Sequence, residues 1–433
     1  MKRLQVPKHI CLWFPIYIMA IIILQSRWTV DWLNLPGVVS QVGALMLYIP
    51  FVVFILWKLV CDIKGRKITL PILTYYGFAG YYGILTVIRF LTHMEVKDSL
   101  YYTIILMGSV ALFSLIYNKH ICVDKDTLYG DLCWVSVALM LYMLLFVIFL
   151  KPILSYSPIN EIAVGGSILL LMPAVVKKFS LSEKGSFWTT MCTLILFSFA
   201  AVVFTLKSRV TFVIFLFEVA VLVVLHLKRK RVLIHLSAAL LGAVVLIAGL
   251  FVLNVGQVRY AVYRETGFAS AGMLGSGDAS SDDDITSPDQ QEALDQINRS
   301  DSMRADLLNE SLKRVKQNVL FGTGEVFYHY EVGEEVFDAP AHNFIFATLN
   351  CYGLVGLLLL MAMVVAMLRQ IHFFRFKDKA TLYARLLFTL TLCMYFGEGM
   401  VQATVYDMLV MPVMFTVFAA FSLSLQQTDT ERN

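Results

Sequence analysis

Residues 255–284 read VGQVRYAVYRETGFASAGMLGSGDASSDDD, and with them an otherwise hydrophobic sequence becomes polar. The polar stretch continues to Asn343, where Ala339-Pro340-Ala341-His342-Asn343 leads into the next apolar run. Nine apolar runs precede this stretch and three follow it, with short connections between the others. The pattern predicts two groups of membrane helices separated by one large loop.

The composition is 58% hydrophobic and 15% charged, whereas soluble domains carry roughly 25% charged residues. The apolar runs are continuous rather than alternating and are long enough to cross a hydrocarbon core of roughly 30 Å. We therefore expect an all-α polytopic membrane protein with about twelve transmembrane helices. The predicted spans are 9–26, 36–58, 69–92, 99–118, 131–150, 159–176, 186–206, 210–227, 232–254, 344–368, 380–400 and 406–425.

The seven cysteines lie in or beside the apolar runs and none lies in the long polar stretch. There is no CxxC pair and no metal-ligand spacing, so cysteine predicts neither a disulfide framework nor a zinc site. We expect no metal and no cofactor.

The first apolar run follows Met1-Lys2-Arg3 and lacks a small-residue cleavage site, which favours an uncleaved first span.

Lys and Arg residues concentrate in alternate connections, as in Lys64–Lys67 and Lys228–Arg231. Basic residues favour the cytoplasmic side of a membrane, so this alternation predicts that both termini are cytoplasmic and that the long loop is extracytoplasmic. The net charge of +4 adds little, because the placement of charges matters more than their sum.

Three parts of the chain follow from this pattern: predicted helices 1 to 9 in residues 1–254, the loop in 255–343 between helices 9 and 10, and helices 10 to 12 with a cytoplasmic tail in 344–433. Within the loop, 267–298 is rich in Gly, Ser and Asp and is expected to be flexible. Residues 302–320 show apolar positions at helical spacing, which predicts an amphipathic helix at the membrane surface.

Several arginines near the predicted outer face are candidates for binding an anion. Arg209 belongs to the short connection Lys207-Ser208-Arg209, and Arg304, Arg259 and Arg264 belong to the loop. The planar guanidinium group can bind two phosphate oxygens at once. The alternative is that Arg209 anchors its helix at the interface, and that the loop arginines are simply solvated.

His342 is the candidate acid or base at the same face. An imidazole with a pKa near ~6.5 can accept a proton from a hydroxyl group at neutral pH, although a histidine at a helix start can also serve only as a hydrogen-bonding group. Asn343 either orients it or caps the following helix. His329 is a weaker candidate, and Glu398 and Asp407 flank the last outer connection either as functional acids or as solvated ones.

Taken together, the order of these motifs resembles the O-antigen ligase and O-antigen polymerase superfamily. The resemblance covers roughly residues 200 to 365. It rests on Ser208-Arg209, Arg304, Gly322-Thr323-Gly324, His342-Asn343, Gly353 and Gly356.

The resemblance implies a metal-independent membrane glycosyltransferase of the GT-C type. Its donor would be a glycan linked to undecaprenyl diphosphate, and no nucleotide sugar would be needed. Arg209 and Arg304 would bind the diphosphate, and His342 would act as the base or orient the acceptor hydroxyl. By their positions in the sequence, Arg259 joins the same rim, and Asn343, Ser208 and Glu398 are expected to support the site. The family often carries an aromatic residue after the loop arginine, whereas Leu307 and Leu308 stand here, so Arg299 is the alternative to Arg304.

Two reactions fit this resemblance. A polymerase joins lipid-linked repeat units of an O-antigen or capsular type polysaccharide, and a ligase transfers the finished glycan to lipid A core. Expected partners are the glycan donor, the glycan or lipid A core acceptor, membrane lipid, a chain-length regulator and a flippase. No nucleic acid partner is expected. The expected location is a bacterial cytoplasmic (inner) membrane. The alternatives from other classes are a twelve-helix secondary transporter, disfavoured because no internal repeat is visible, and a non-catalytic scaffold.

Overall fold

The computed structural model describes residues 8–26, 30, 34, 36, 38–94, 96–146, 159–206, 208–253, 306–325, 327–332, 335–340, 343–376, 379–400 and 407–430. Within these residues the chain forms twelve long helices, a loop helix and a β-hairpin. The long helices are α1 (Ile10–Gln25), α2 (Val38–Gly65), α3 (Leu70–Leu91), α4 (Lys97–Tyr117), α5 (Lys125–Leu145), α6 (Glu161–Leu181), α7 (Phe187–Thr205), α8 (Arg209–Leu225), α9 (Lys230–Val252), α10 (Phe344–Gln370), α11 (Lys379–Gly399) and α12 (Val410–Thr430). The loop helix spans 306–317, and the hairpin consists of β1 (Phe327–Val332) and β2 (Glu335–Pro340).

Each predicted apolar run coincides with one of the long helices, although the boundaries differ by a few residues. Helix α5, for example, begins at Lys125 rather than at 131. The carboxylate of Asp124 accepts a hydrogen bond from the backbone N–H of Thr127 at 3.0 Å, and this N-cap starts the helix before the apolar run does. Polar capping residues, rather than hydrophobicity, thus set this helix start.

The prediction of a polytopic helical membrane protein is confirmed. Seven helical stretches in the described part of the chain are long and apolar enough to span a membrane: Gln41–Gly65, Lys97–Tyr117, Lys125–Leu145, Ile162–Leu181, Phe187–Phe204, Lys230–Leu250 and Phe344–Gln370. Three shorter helical stretches are also apolar, namely Ile10–Gln25, Val210–Leu225 and Val410–Gln426. Helices α3 and α11 belong to neither group, so the count of twelve spans stays a prediction.

Helix α6 lies at the centre of the bundle and α2 and α9 lie at its edge. The apolar window of α6 is 83% buried inside the protein, compared with 22% for α2 and 28% for α9. Helix α6 packs against α5, α7, α8, α11 and α12. The edge helices expose apolar side chains such as Leu45 and Leu241, as expected for helices that face lipid.

The loop helix buries one face against the bundle through Leu307 and Ser311, which are each 1% exposed. Leu308 and Leu312, which belong to the same apolar pattern in the sequence, are exposed. The hairpin that follows pairs Phe327 with Pro340 and Val332 with Glu335 in antiparallel register. This hairpin was not predicted from the sequence. Three residues, 341–343, separate its end from the start of α10.

Candidate active site

Ser208 starts helix α8 and fixes the backbone of Arg209, the first residue of that helix. Ser208 has an extended conformation, and its hydroxyl accepts a hydrogen bond from the backbone N–H of Thr211 at 3.3 Å. This is the geometry of a helix N-cap. The structure describes Arg209 only through its backbone, at a helix N-terminus, where the partial positive charge of the helix dipole favours anions.

The same hydroxyl groups connect α8 to the end of α11. The side-chain oxygens of Ser208 and Thr211 are 2.9 Å apart, and the hydroxyl of Thr211 donates to Oε1 of Glu398 at 3.1 Å. Glu398 is 2% exposed. Buried polar groups of this kind are stabilised only when they are hydrogen-bonded, so the chain of three side chains holds α8 and α11 in one register.

Two adjacent glycines in α6 make room for this contact. A Cβ atom on Gly166 would lie 2.8 Å from Oε2 of Glu398, and a Cβ on Gly165 would lie 2.7 Å from Cγ2 of Thr211. Both distances are shorter than side chains tolerate. The small residues of α6 therefore allow α8 and α11 to approach the central helix together.

Asn343 links the start of α10 to the same end of α11. Its Oδ1 accepts hydrogen bonds from the backbone N–H groups of Ile345 and Phe346 at 2.9 and 3.2 Å, so Asn343 is the N-cap of α10. Its Nδ2 donates to the backbone carbonyl of Met400 at 3.0 Å. We call the contacts among Ser208, Thr211 and Glu398, together with the bond from Asn343 to Met400, the side-chain clamp.

The side-chain clamp brings three stretches singled out in the sequence to one end of the bundle. The starts of α8 and α10 and the end of α11 meet there, and all three were predicted to lie at the outer face. His342, Arg304 and Arg259 lie outside the described residues. In the described part of the chain, no group of three His, Cys, Asp or Glu side chains is arranged to hold a metal ion.

A second contact joins the segment after the loop helix to a break in α10. Gly353 interrupts α10 with φ 67° and ψ −174°, a conformation that is essentially restricted to glycine. The N–H groups of Leu354 and Val355, which have lost their helical partners, donate to the carbonyls of Val319 and Leu320 at 2.8 and 3.2 Å. The carbonyl of Asn350 in turn accepts from the N–H groups of Thr323 and Gly324.

The remaining carbonyls at the break are bonded to side chains of α3. Nη2 of Arg89 donates to the carbonyl of Cys351 at 2.6 Å and to that of Phe321 at 2.9 Å, and the hydroxyl of Tyr81 donates to that of Tyr352 at 2.5 Å. Irregular backbone at membrane depth is tolerated only where it is buried in protein and hydrogen-bonded in this way. We call the contacts of 319–324 with 350–355, together with Arg89, the backbone clamp.

Two glycines of the backbone clamp, Gly322 and Gly353, cannot be replaced without a clash. A Cβ on Gly353 would lie 2.2 Å from the carbonyl oxygen of Leu320. A Cβ on Gly322, which has φ +68°, would lie 2.5 Å from the carbonyl oxygen of Asn350. Gly322 and Gly353, two of the glycines that contribute to the family resemblance, therefore have a packing role.

Arg89 and Glu218 are among the buried ionisable residues that the sequence pattern did not single out. Arg89 is 1% exposed and bonds two distant segments. Glu218 was not singled out, although it is the one acid in the run 210–227 and is fully buried. Its position in an apolar run was the available signal, because acids within membrane segments are rarely without a role.

One family model matches part of this chain. Residues 192–361 match the family model Wzy_C, described as O-antigen ligase. The match supports membership of the O-antigen ligase and polymerase superfamily, and with it a glycosyltransferase-type enzyme that acts on lipid-linked glycans in a membrane. It includes Ser208, Arg209, Gly322, Asn343 and Gly353, but neither Arg89 nor Glu398. A search of curated proteins found no match to this chain.

Proposed function

We propose that the protein polymerises oligosaccharide repeat units linked to undecaprenyl diphosphate, at the outer face of a bacterial cytoplasmic membrane. The observation that supports this most is the side-chain clamp. It joins the helix starts that follow Lys207 and His342, where the candidate cation Arg209 and the candidate base lie in the sequence. A diphosphate-binding group and a base must act on the same glycosidic bond, so their helices have to meet at one end of the bundle.

In this proposal the reaction is a transfer without a metal. The acceptor hydroxyl group loses its proton to His342 as it attacks the anomeric carbon of the donor sugar, and the bond from that carbon to the diphosphate breaks. Arg209, Arg304 and Arg259 bind the diphosphate and offset the negative charge that develops on it. Ser208, Asn343 and Glu398 do not react, but they hold Arg209 and His342 in position through the helix ends.

The large loop contributes to the site in this proposal. In this proposal it is extracytoplasmic, 267–298 is flexible, and Arg304 precedes the loop helix by two residues in the sequence. The backbone clamp supports this arrangement, because it attaches the end of the loop helix to α10, whose first turn follows His342. Both chain termini are then cytoplasmic. A flippase that supplies the donor and a chain-length regulator are the expected partners of this reaction.

A ligase is the second candidate, and the description of the matching family favours it. The donor and the site chemistry would be the same. The acceptor would be lipid A core instead of a second lipid-linked glycan. A transporter is disfavoured, because the family match supports a transferase.

Glycan profiles of a strain that lacks the gene distinguish these functions. Complementation with the wild-type gene is compared with Arg209→Ala, Arg304→Ala and His342→Ala at equal expression. A polymerase predicts single repeat units on the surface of the null strain and of the three variants. Long chains that accumulate on the carrier would indicate a ligase, and full complementation by all three variants would refute the proposed site.

A further inference from the structure

Tyr383 lies between two basic side chains at the end of the bundle opposite Glu398. Fifteen residues of α11 separate Tyr383 from Glu398, a rise of about 22 Å. Nζ of Lys177, near the end of α6, is 4.7 Å from the centre of the Tyr383 ring. Cζ of Arg229, which precedes α9, is 4.2 Å from the same centre. One aromatic ring thus holds two cations close together through cation–π contacts.

A buried histidine fixes the orientation of this ring. Nδ1 of His226 is 2.7 Å from the carbonyl oxygen of Leu222, and Nε2 is 2.6 Å from the hydroxyl oxygen of Tyr383. Because a carbonyl can only accept, Nδ1 carries a proton, and in the neutral ring Nε2 accepts from Tyr383. His226 is completely buried, so the ring that holds the two cations is rigidly placed.

Two neighbouring basic residues donate hydrogen bonds to backbone carbonyls within the protein. Nζ of Lys178 donates to the carbonyl of Asp126 at 3.1 Å. The guanidinium group of Arg231 donates to the carbonyls of Ser182 and Glu183 at 2.8 and 2.9 Å. Lys177 and Arg229, in contrast, have no ion pair or hydrogen bond from their side chains within the described residues. Both side chains therefore still have N–H donors to offer an anion.

The surrounding charges do not compensate for this pair. Arg229 acts most strongly on the ammonium group of Lys177 and repels it, Lys125 repels it less, and Asp126 is the one acid that attracts it. An anion bound to both cations would relieve their repulsion. Phosphate is suited to this position, because a guanidinium fork and an ammonium group can bind different oxygens of one phosphate group.

We propose that Lys177, Arg229 and Tyr383 form a binding site for the phosphate group of an anionic phospholipid. The source is a lipid rather than a soluble phosphate because apolar surface adjoins the two cations. Leu181 in α6, and Val224 and Leu227 beside His226, are all exposed. Acyl chains can cover these side chains while the head group reaches the basic pair, as in basic pockets between membrane helices.

Lipid binding to the purified full chain in detergent tests this site. Fluorescent phosphatidylglycerol is titrated into the wild type, into a variant with Lys177→Gln and Arg229→Gln, and into a control with Lys228→Gln and Lys230→Gln. The control removes the same charge from the same end of the bundle, but neither residue contacts Tyr383. We expect the first variant to bind on the order of tenfold more weakly and the control to remain close to wild type.

Three results would overturn the proposal. Equal weakening in both variants would indicate an effect of general surface charge, and no weakening in either would show that the two cations do not bind the lipid. Full displacement of the lipid by inorganic phosphate would indicate a site for a soluble anion. Thermal unfolding checks that each variant is folded. If the double variant does not fold, Arg229→Gln alone serves, with an expected weakening of about fivefold. An unchanged affinity of that folded single variant would equally refute the site.

Discussion

The backbone clamp and the side-chain clamp hold the same end of the bundle, but they are built from different atoms. The backbone clamp consists mainly of N–H and carbonyl groups that a break in α10 has released, and it depends on the absence of a side chain at Gly322 and Gly353. The side-chain clamp depends on the presence of particular groups, namely two hydroxyls, a carboxyl and an amide. Substitutions at these glycines should therefore damage the first by adding atoms, whereas substitutions damage the second by removing atoms.

Adding one carbon atom to the backbone clamp should have the largest effect. Gly353→Ala places a Cβ 2.2 Å from the carbonyl oxygen of Leu320 in a conformation that alanine avoids. We expect a loss of about 3 kcal/mol in the free energy of unfolding, or misfolding of the break. Thermal unfolding of the purified protein measures this.

The matched control for this change is Gly80→Ala in α3, where a Cβ would meet nothing within 4 Å. Alanine is a better helix former than glycine, so this variant should be as stable as wild type or slightly more stable. If Gly353→Ala unfolds at the same temperature as Gly80→Ala, the backbone of Leu320 does not lie as close to Gly353 as described here.

Removing Arg89 should loosen the backbone clamp without removing its glycines. Arg89→Met deletes the donor to Phe321 and Cys351 and should weaken the attachment of the loop by about 2 kcal/mol. The open population would then rise about thirtyfold, and limited proteolysis within 255–343 should accelerate accordingly. Arg66→Met, at an exposed position in another connection, is the control and should leave the cleavage rate unchanged.

Glu398 tests whether the side-chain clamp needs a charge or only an acceptor. Glu398→Gln keeps an oxygen for the hydroxyl of Thr211, whereas Glu398→Ala removes it. We expect Ala to lower the free energy of unfolding by about 1.5 kcal/mol and Gln to lower it much less. Glycan chain formation should follow the same order, since displaced helix ends misplace the reacting groups. Equal defects in Gln and Ala would show that the carboxylate itself is required.

The hydrogen bond from Asn343 to Met400 should have the smallest effect on stability among the contacts tested here. Asn343→Asp retains a good N-cap for α10 but loses the N–H donor to the carbonyl of Met400. We expect a loss of about 1 kcal/mol for Asp and a larger loss for Ala, which removes the cap as well. A variant with Asp that unfolds like wild type would mean that the bond to Met400 adds nothing to stability.

Much of the candidate site could be predicted from residues that act locally. Ser208 and Asn343 are N-capping residue types directly before apolar runs, so their capping role follows from their position in the sequence. Gly322, Gly324 and Gly353 have positive φ, which glycine adopts readily. The roles of His342, Arg304, Arg259 and the side chain of Arg209 stay predictions, because the described part of the structure does not include those groups.

The sequence by itself determined which segments become helices, since hydropathy and capping act between residues a few positions apart. Only the tertiary structure decided that Arg89 bonds Phe321 and Cys351, more than two hundred residues away, and that Thr211 meets Glu398. Apolar helices can pack in many pairs with similar burial, so hydropathy does not select their partners. That selection depends on a few polar groups and on glycines, which leave room for close contacts. These features fit one another only after the helices have come together.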